Sequence, residues 1–406
     1  MTRKLLQINP VVRLNTSTGR IMKEIGEIAI AAGWESWIAY SGARDGVPQH
    51  SSQLIPVGNK LDLALHAVAT RLFDAHGLVS RRATKRLIRR IREIDPDIVH
   101  IHNVHGYWLN YPLLCRYLQE SGKPVIWTVH DCWLYTGHCY YYSAVRCGRW
   151  QTGCGHCPQK RAFPASWLFD RSARNWRDKQ RAFGSLPRLT IVPVSDWIRG
   201  EMSRSFLKDK RFQVIHNGID LEVFRPEAAT GAGQPAGTVI LGVATLWHEE
   251  KGVRDFVALA GMLRPDEQLV LVGRMSEEQR AAFPSKVRLV ERTENVAKLA
   301  ELYAGATAFV NPTWQDNYPT VNLEAIACGT PVVTYRTGGS IEAVTEGTGF
   351  VVEQGDVAGL LARVRELAAM DRQTVRERCR SHALQHFNKY ERYQDYIRLY
   401  EDLAAR

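Results

Sequence analysis

The most informative stretch of this chain is Asn311-Pro-Thr-Trp-Gln-Asp-Asn-Tyr-Pro-Thr-Val-Asn-Leu-Glu-Ala-Ile-Ala-Cys-Gly-Thr-Pro-Val-Val333. An apolar strand ends just before it, a polar loop follows, and a helix begins near Thr320. Backbone N–H groups in the first turn of a helix bind anions. The stretch therefore predicts a diphosphate-binding helix N-terminus, whose candidate donor-binding residues are Asn317, Tyr318, Pro319, Thr320, Val321 and Asn322.

Two acidic residues flank this helix start. Glu324 lies about one turn into the helix. A carboxylate there can accept hydrogen bonds from both hydroxyls of a ribose, as acidic residues do in dinucleotide folds. Asp316 lies in the preceding loop, where its carboxylate can hold the hydroxyls of a bound sugar. The pair indicates a site for a nucleotide carrying a sugar.

Outward from this stretch, short β-rich runs alternate with helical patterns in both halves of the chain, which indicates parallel sheets with crossover helices. Strands of the first half are predicted at Lys4–Ile8, Glu35–Tyr40, Ile98–His102, Val125–Val129, Thr190–Val194 and Gln213–Ile215. The low-complexity stretch 227–237 reads as a linker. The pattern predicts an α/β protein of two Rossmann-like, doubly wound domains facing a cleft, at 1–226 and 238–381, followed by a helical segment at 382–406.

Length and composition agree with a two-domain globular protein. The chain has 406 residues, 45% of them hydrophobic and 23% charged, which excludes disordered and collagen-like classes. No run of 18 apolar residues occurs, so no membrane-spanning helix is predicted. The first residues read as a strand and not as a secretion signal, and we therefore expect a cytoplasmic location.

Several further motifs occur in a set order along the chain: Asp97-Ile-Val-His-Ile-His-Asn103, Trp127-Thr-Val-His-Asp131, Asn217-Gly-Ile-Asp220 and Glu250-Lys-Gly252. With the paired acids and the run Glu324-Ala-Ile-Ala-Cys-Gly-Thr-Pro-Val332, the chain resembles retaining GT-B glycosyltransferases of family 4 over nearly its whole length. Within that family it is most similar to enzymes of exopolysaccharide assembly of the colanic-acid type. The resemblance implies a GT-B fold whose C-terminal helix crosses back to the N-terminal domain.

The resemblance also implies roles for individual residues. Glu324 would bind the ribose of the donor and Asp316 its sugar, Lys251 would neutralise the diphosphate in place of a catalytic metal ion, and His130 would touch the sugar. Two contacts to the diphosphate would come from the other domain, in the turn after the first strand: Thr18 and Gly19. The implied activity is transfer of a sugar from a UDP- or GDP-sugar to a saccharide or polyprenyl-linked acceptor in cell-surface polysaccharide synthesis.

Two positions depart from the family pattern. The first acid is usually Glu and is Asp316 here. The family usually has an Arg five residues before the Lys, at the position that is Leu246 in this chain. Either another basic residue replaces that Arg, with Arg274 as the candidate, or Lys251 acts alone.

Five of the eight cysteines lie in residues 132–158, which form a Cys-rich insert of the N-terminal domain. One Cys-x-x-Cys pair with two further thiols fits a tetrahedral zinc ion better than disulfides in a reducing compartment. The sequence predicts a structural zinc site with the ligands Cys139, Cys147, Cys154 and Cys157. Metal binding by the nearby His100, His102 and His105 is not favoured, since no carboxylate is in register with them.

The basic charge lies in the first half of the chain. Residues 1–200 contain 28 basic and 14 acidic side chains, and a helix at 81–92 is mostly basic on its exposed face. Nucleic acid is not an expected partner, because no recognition motif occurs. An anionic membrane surface suits the charge, so we expect peripheral contact with the inner face of the plasma membrane.

Two alternatives remain at this point. A sugar-nucleotide epimerase shares the two-domain architecture, although the spacing of the acids argues against it. The second alternative is a degenerate transferase that binds the donor without turnover. It is suggested by Leu246, which stands where the family usually has an Arg.

Overall fold

The computed structural model describes residues 2–13, 16–43, 47–229, 237–293 and 295–406. The chain divides into two compact units, the first comprising Met1–His216 with Tyr393–Arg406 and the second Asn217–Arg392. Most of the predicted linker at 227–237 lies outside the described residues, and its first residues belong to a short 3-10 turn, Pro226–Ala229.

The first unit contains, within its described residues, one parallel sheet in the order β3-β2-β1-β4-β5-β6-β7. Its strands are β1 (Lys4–Ile8), β2 (Glu35–Ser41), β3 (Gln53–Val57), β4 (Ile98–Ile101), β5 (Val125–Val129), β6 (Leu189–Pro193) and β7 (Arg211–Phe212). Its helices are α1 (Ser17–Ala31), α2 (Lys60–Phe73), α3 (Arg81–Ile94), α4 (Tyr111–Ser121), α5 (Ser172–Gly184) and α6 (Asp196–Met202).

The described part of the second unit contains another parallel sheet, in the order β10-β9-β8-β11-β12-β13. Its strands are β8 (Thr238–Leu246), β9 (Glu267–Arg274), β10 (Arg288–Val290), β11 (Ala308–Asn311), β12 (Val332–Tyr335) and β13 (Gly349–Val352). The helices are α7 (Val253–Gly261), α8 (Glu277–Ala281), α9 (Val296–Gly305), α10 (Thr320–Ala327), α11 (Val357–Ala369), α12 (Arg372–His386) and α13 (Lys389–Ala405), the last of which continues into the first unit.

Both sheets form because their strands are apolar on both faces, as expected when helices cover a parallel sheet on each side. Every residue of β4 and β5 is buried. The prediction of two Rossmann-like domains is confirmed. Helix α3 is amphipathic as predicted, with Leu87, Ile88 and Ile91 buried and its basic side chains exposed.

Three local predictions need correction. The strand expected at Gln213–Ile215 is instead the short edge strand β7 at Arg211–Phe212, and β3 and α2 were not anticipated. The helical segment expected from residue 382 is two helices, broken between α12 and α13. The break arises because Ile219 exchanges backbone hydrogen bonds with Phe387 and Lys389, at 2.8 and 3.1 Å, which takes these backbone groups out of the helical pattern.

Helix α13 returns to the first unit, as predicted. Its tyrosine hydroxyls reach the buried sheet: Tyr400 is bonded to Nδ1 of His100 at 2.7 Å, and Tyr396 to Oγ1 of Thr128 at 2.9 Å. The same side chains belong to one buried apolar cluster that also contains Leu5 of β1. Among the described residues, the helices are all too short or too polar to cross a membrane.

Candidate functional site

Ligands of doubly wound sheets bind at the carboxyl ends of the strands, where the strand order reverses direction. In the second unit this switch point lies at β8, which has β9 on one side and β11 on the other. Lys251 follows β8, Arg274 ends β9, and Asp316 follows β11. The structure therefore brings three of the predicted site residues to one edge of one sheet.

Lys251 and Asp316 form a direct ion pair across this switch point. The Lys251 Nζ donates to Oδ2 of Asp316 at 2.5 Å, and the other carboxylate oxygen accepts from the backbone N–H of Asn317 at 3.0 Å. The ammonium group is partly exposed, whereas the carboxylate is mostly buried. An ammonium group has three N–H donors, so Lys251 can donate to a phosphate as well as to Asp316.

The turn at Gly252 makes this pairing possible. Gly252 has φ = 72°, and a Cβ atom there would lie 2.3 Å from the carbonyl oxygen of Pro312. The loop after β11 also docks on this turn, because the Trp314 N–H donates to the carbonyl of Glu250 at 2.8 Å. A glycine after Lys251 is therefore required for the close approach of the two loops.

Glu324 is deeply buried in α10, with 4% of its surface exposed. The hydroxyl of Tyr303, on α9, donates to its Oε2 at 3.2 Å. A buried carboxylate needs such donors, because an unbonded one is costly. Sequence reasoning missed Tyr303, which lies in a different helix and carries no local motif.

The residues at the start of α10 have different environments. Pro319 is the N-cap residue, Thr320 and Val321 are half-buried, and Asn317 and Tyr318 are buried. The side chain of Asn322 bridges two neighbours: it accepts from Asn311 at 2.8 Å and donates to the Ser340 carbonyl at 2.9 Å. Its contribution to the site is to fix α10 against the end of β11.

Arg274 lies beside the position that lacks the family's usual Arg. In the β8–β9 pairing, Leu246 is the register partner of Arg274. The Leu246 side chain is 52% exposed, and Arg274 is exposed as well. A cation is therefore present one strand away from the missing one.

The first unit has an equivalent switch point, between β1 and β4. His102 follows β4 and His130 follows β5, and their ring nitrogens Nδ1 and Nε2 lie 3.2 Å apart. Thr18 and Gly19 lie after β1, but in the first turn of α1 and not in a free turn. The reason is the capping residue Thr16, whose hydroxyl accepts from the Gly19 N–H at 3.3 Å.

The neighbouring His105 belongs to a second cluster at this edge. Its Nε2 is bonded to Oδ2 of Asp131 at 2.8 Å, and its Nδ1 to the hydroxyl of Tyr140 at 2.8 Å. His100, by contrast, is bonded to Thr128 and Tyr400 inside the core. The three histidines of this strand and loop thus have separate partners, and one of them, His105, does have a carboxylate partner, Asp131, which the sequence did not predict.

Burial keeps His102 and His130 neutral near pH 7. It lowers the pKa of His130 to about 4, an effect that Asp131 opposes and His105 reinforces. Burial also lowers the pKa of His102 well below its usual value. Burial disfavours ionisation of Asp131, but its contacts with His105 outweigh this and lower the pKa of that carboxyl.

The predicted zinc ligands line one pocket of the Cys-rich insert: Cys139, Cys147, Cys154 and Cys157. All four are free thiols. A hydrogen bond from Cys139, together with the nearby His138, lowers the pKa of Cys157 to about 7, although burial opposes the shift. Among the residues that the structure describes, no three of these sulfurs lie within 4.8 Å of one another. The donor set fits zinc in kind and number, and the thiols would have to close around the ion.

A buried lysine of α5 binds two backbone carbonyls at the start of the insert. Lys179 of α5 donates to the carbonyls of Trp133 and Thr136, at 2.6 and 2.9 Å. Burial lowers the pKa of Lys179 to about 7. Gly137 permits the close contact with α5, since a Cβ atom there would lie 2.2 Å from the Ser172 carbonyl oxygen. The insert is therefore a packed part of the first unit.

Comparisons with known proteins agree with this arrangement. Residues 19–223 match the family described as Glycosyltransferase Family 4, and residues 237–370 match the family described as Glycosyl transferases group 1. The chain is 24% identical over 377 residues to the putative colanic acid biosynthesis glycosyl transferase WcaC of Escherichia coli K12, covering 88% of this chain and 89% of that protein.

Solved structures resemble the chain over nearly its whole length. Sucrose-phosphate synthase from Thermosynechococcus elongatus superposes with a TM-score of 0.71 at 18% identity, over 99% of each chain. HepE from Anabaena, solved in complex with UDP, superposes with a TM-score of 0.67 at 14% identity, over 99% of this chain and all of that one. These likenesses confirm the predicted GT-B fold.

Proposed function

The chain belongs to glycosyltransferase family 4, and from this premise we propose that it transfers a sugar with retention of anomeric configuration. It is a glycosyltransferase of the GT-B type. The donor in the proposal is a nucleotide-diphosphate sugar, and the acceptor is a saccharide or a polyprenyl-linked saccharide of a cell-surface polysaccharide.

The Lys251–Asp316 pair is the observation that carries this proposal. It bridges β8 and β11 at the switch point, where a diphosphate is expected to lie. In the proposed complex, Lys251 binds the diphosphate and stabilises the negative charge that develops as the glycosidic bond breaks. Asp316 binds hydroxyls of the sugar. Such preorganised charge is usually the largest single contribution to catalysis, and it removes the need for a catalytic metal ion.

Glu324 provides the second part of the donor site. Its carboxylate has a buried partner in Tyr303 and lies on the first helix after Asp316. In the proposed complex it accepts hydrogen bonds from the ribose hydroxyls, while the first turn of α10 binds phosphate oxygens. Thr18, Gly19 and Arg274 stay predictions as further contacts to the diphosphate.

The acceptor side of the proposal rests on the first unit. His130, whose contact with the donor sugar stays a prediction, lies beside His102 at its switch point, and the nearby ring of Tyr140 is half-buried. A neutral imidazole can both donate and accept, which suits the hydroxyls of a sugar. The similarity to WcaC supports an acceptor of the exopolysaccharide type.

A binding assay without added metal tests the donor site. We would record thermal-shift curves with UDP, GDP and ADP and with their common sugars, in the presence and absence of EDTA. Ligand at 100 times its dissociation constant stabilises the fold by about 2.7 kcal/mol. A shift with one nucleotide that survives EDTA and is lost in Glu324→Ala supports the proposal. Binding that needs a divalent cation contradicts it.

A donor-binding protein without turnover is the second candidate, because position 246 carries an exposed Leu. Release of free sugar or nucleotide from the donor that binds best distinguishes the two. Any turnover that Lys251→Ala abolishes excludes the non-catalytic candidate, whereas tight binding with no product in the presence of saccharide acceptors supports it.

A structural zinc ion in the Cys-rich insert is a separate part of the proposal. Four free thiols around one pocket supply the ligand set, and a closed four-thiolate site stabilises its loop without taking part in chemistry. Elemental analysis of the purified protein would give about one zinc per chain. The Cys154→Ser, Cys157→Ser double variant would lose the ion, whereas Cys379→Ala, which changes a buried thiol of the other unit, would keep it. Absence of zinc, with disulfides seen by mass spectrometry, would contradict the proposal.

A further inference from the structure

Helix α2 of the first unit exposes an apolar stripe. Leu61, Leu65 and Val68 lie one or two turns apart on the same side of the helix, and more than half of each side chain is exposed, with 66% at Leu61. Phe73, at the end of the helix, is exposed as well. A surface helix normally turns this kind of stripe toward the core.

A loop after the Cys-rich insert extends this stripe. Phe163, Trp167, Leu168 and Phe169 are all more than half exposed. The loop is fixed to the end of α2, since the Trp167 N–H donates to the Arg71 carbonyl at 2.6 Å and the Phe169 ring stacks on Phe73 at a centroid distance of 5.8 Å. We call these eight exposed apolar residues of α2 and the loop the apolar platform.

Scattered exposed apolar residues are ordinary, but a contiguous group marks an interaction surface. The charges around the platform indicate which partner it fits. Residues 60–73 and 160–174 contain six basic side chains and two acidic ones, and the acidic side chains are Asp62 and Asp170. Both acids accept hydrogen bonds from nearby backbone N–H groups, of Asn59 and of Cys157 and Ser172 respectively.

We propose that the apolar platform docks the protein onto an anionic phospholipid bilayer. The aromatic and aliphatic side chains enter the interface between headgroups and acyl chains, where Trp is favoured. The basic side chains remain at the level of the phosphates, as Arg71 does when its guanidinium packs over the Trp167 ring at 5.7 Å. This surface differs from the basic helix α3, to which the charge pattern alone assigned the membrane contact.

The platform lies next to the proposed acceptor site. The ring of Phe163 packs edge-on against Tyr140 at a centroid distance of 4.9 Å, and the Tyr140 hydroxyl is bonded to His105. The Tyr140 side chain thus separates the bilayer-facing surface from His105 and its neighbouring histidines. Docking by this face would present the cluster to a saccharide whose lipid carrier stays in the membrane. This last step rests on the proposed function, whereas docking itself does not.

Vesicle co-sedimentation of the full chain without donor tests the docking. We expect binding to vesicles of phosphatidylcholine and phosphatidylglycerol in equal amounts, and weak binding to phosphatidylcholine alone. The Trp167→Ser, Leu168→Ser, Phe169→Ser variant should bind at least about tenfold more weakly. The matched control Val296→Ser, Met370→Ser, Leu384→Ser removes exposed apolar side chains from the second unit and should bind like the wild type.

A second comparison separates the platform from α3. In Arg82→Gln, Arg86→Gln, Arg89→Gln the apolar platform is intact, so quenching of Trp167 fluorescence by brominated lipid should persist. In Trp167→Phe the vesicle binding should persist and that quenching should disappear.

Equal binding of the platform variant and the wild type would overturn the proposal. So would a dimer in solution that the platform variant dissociates, since the face would then bind a second copy. Because these readouts need no turnover, a failed donor assay leaves them unaffected.

Discussion

The switch point of the second unit carries a charged pair, whereas that of the first unit carries His102 and His130, which burial keeps neutral. Lys251 and Asp316 form an ion pair at 2.5 Å in the one, and His102 and His130 lie 3.2 Å apart in the other. Both switch points lie at the carboxyl ends of the strands of a parallel sheet, so the difference lies in the loops that follow the strands. In the proposed function, the same scaffold offers fixed charge to a diphosphate in one unit and neutral hydrogen-bonding groups to a sugar in the other.

The largest effect in this comparison is expected from removing the cation. Lys251→Ala should lower turnover about 10²–10³-fold. The variant loses the positive charge that, in the proposal, stabilises the departing nucleoside diphosphate. Steady-state rates with the best donor measure this. Lys298→Ala, which removes an exposed lysine paired with Glu301, should leave the rate unchanged. A wild-type rate in Lys251→Ala would show that the charged switch point does not act as proposed.

The next effect concerns the buried carboxylate. Glu324→Gln keeps the shape of the side chain and removes its charge, so the affinity for the donor nucleotide should fall about 10- to 100-fold. Calorimetric titration measures it. Tyr303→Phe should lower the free energy of unfolding by about 1 kcal/mol and weaken the nucleotide less, since the carboxylate remains. If Glu324→Gln bound the nucleotide as tightly as the wild type, or more tightly than Tyr303→Phe, Glu324 would contribute to stability alone.

The neutral state of His130 can be examined through pH. Because the pKa of His130 is about 4 in the fold and near 6.5 in the unfolded chain, the unfolded chain takes up the proton first as pH falls. The contribution of His130 to stability is present above pH 6.5, declines as pH falls, and is lost near pH 4.

Denaturant unfolding should show this loss. Between pH 6.5 and about pH 5.5, His130 should account for about 1 kcal/mol of the decrease in the free energy of unfolding. His130→Gln should show a shallower decrease over the same range, because it lacks the group whose pKa differs between the folded and the unfolded chain. An unchanged slope in His130→Gln would mean that the imidazole is not held neutral.

The smallest effect is expected at the register pair of β8 and β9. If Arg274 replaces the missing cation, Arg274→Gln should weaken nucleotide binding about two- to fivefold, in the range of exposed charge pairs. Adding Leu246→Arg to that variant should recover the loss. If the dissociation constant changed in neither variant, Arg274 would not replace the missing Arg, and Lys251 would act alone on the diphosphate.

Much of the fold and the main part of the candidate site followed from the chain's own pattern. The strands of both sheets are apolar on both faces, the buried face of α3 repeats every three to four residues, and the acids lie at a fixed spacing beside a helix start. These signals are local, because hydrophobic periodicity and helix-terminus chemistry act between residues that are near in sequence. The thiols of the Cys-rich insert were likewise readable from their spacing.

Other features depended on contacts between distant residues. The partner of Glu324 is Tyr303, the partner of His105 is Asp131, and the neighbour of Leu246 is Arg274, and in each case packing or strand register chose the pair. The break after α12 came from backbone bonds to Ile219. The apolar stripe of α2 shows the limit most clearly, because its sequence fits a buried face equally well. Only the tertiary structure, by turning the other side of that helix toward the core, decided that this stripe meets the surroundings.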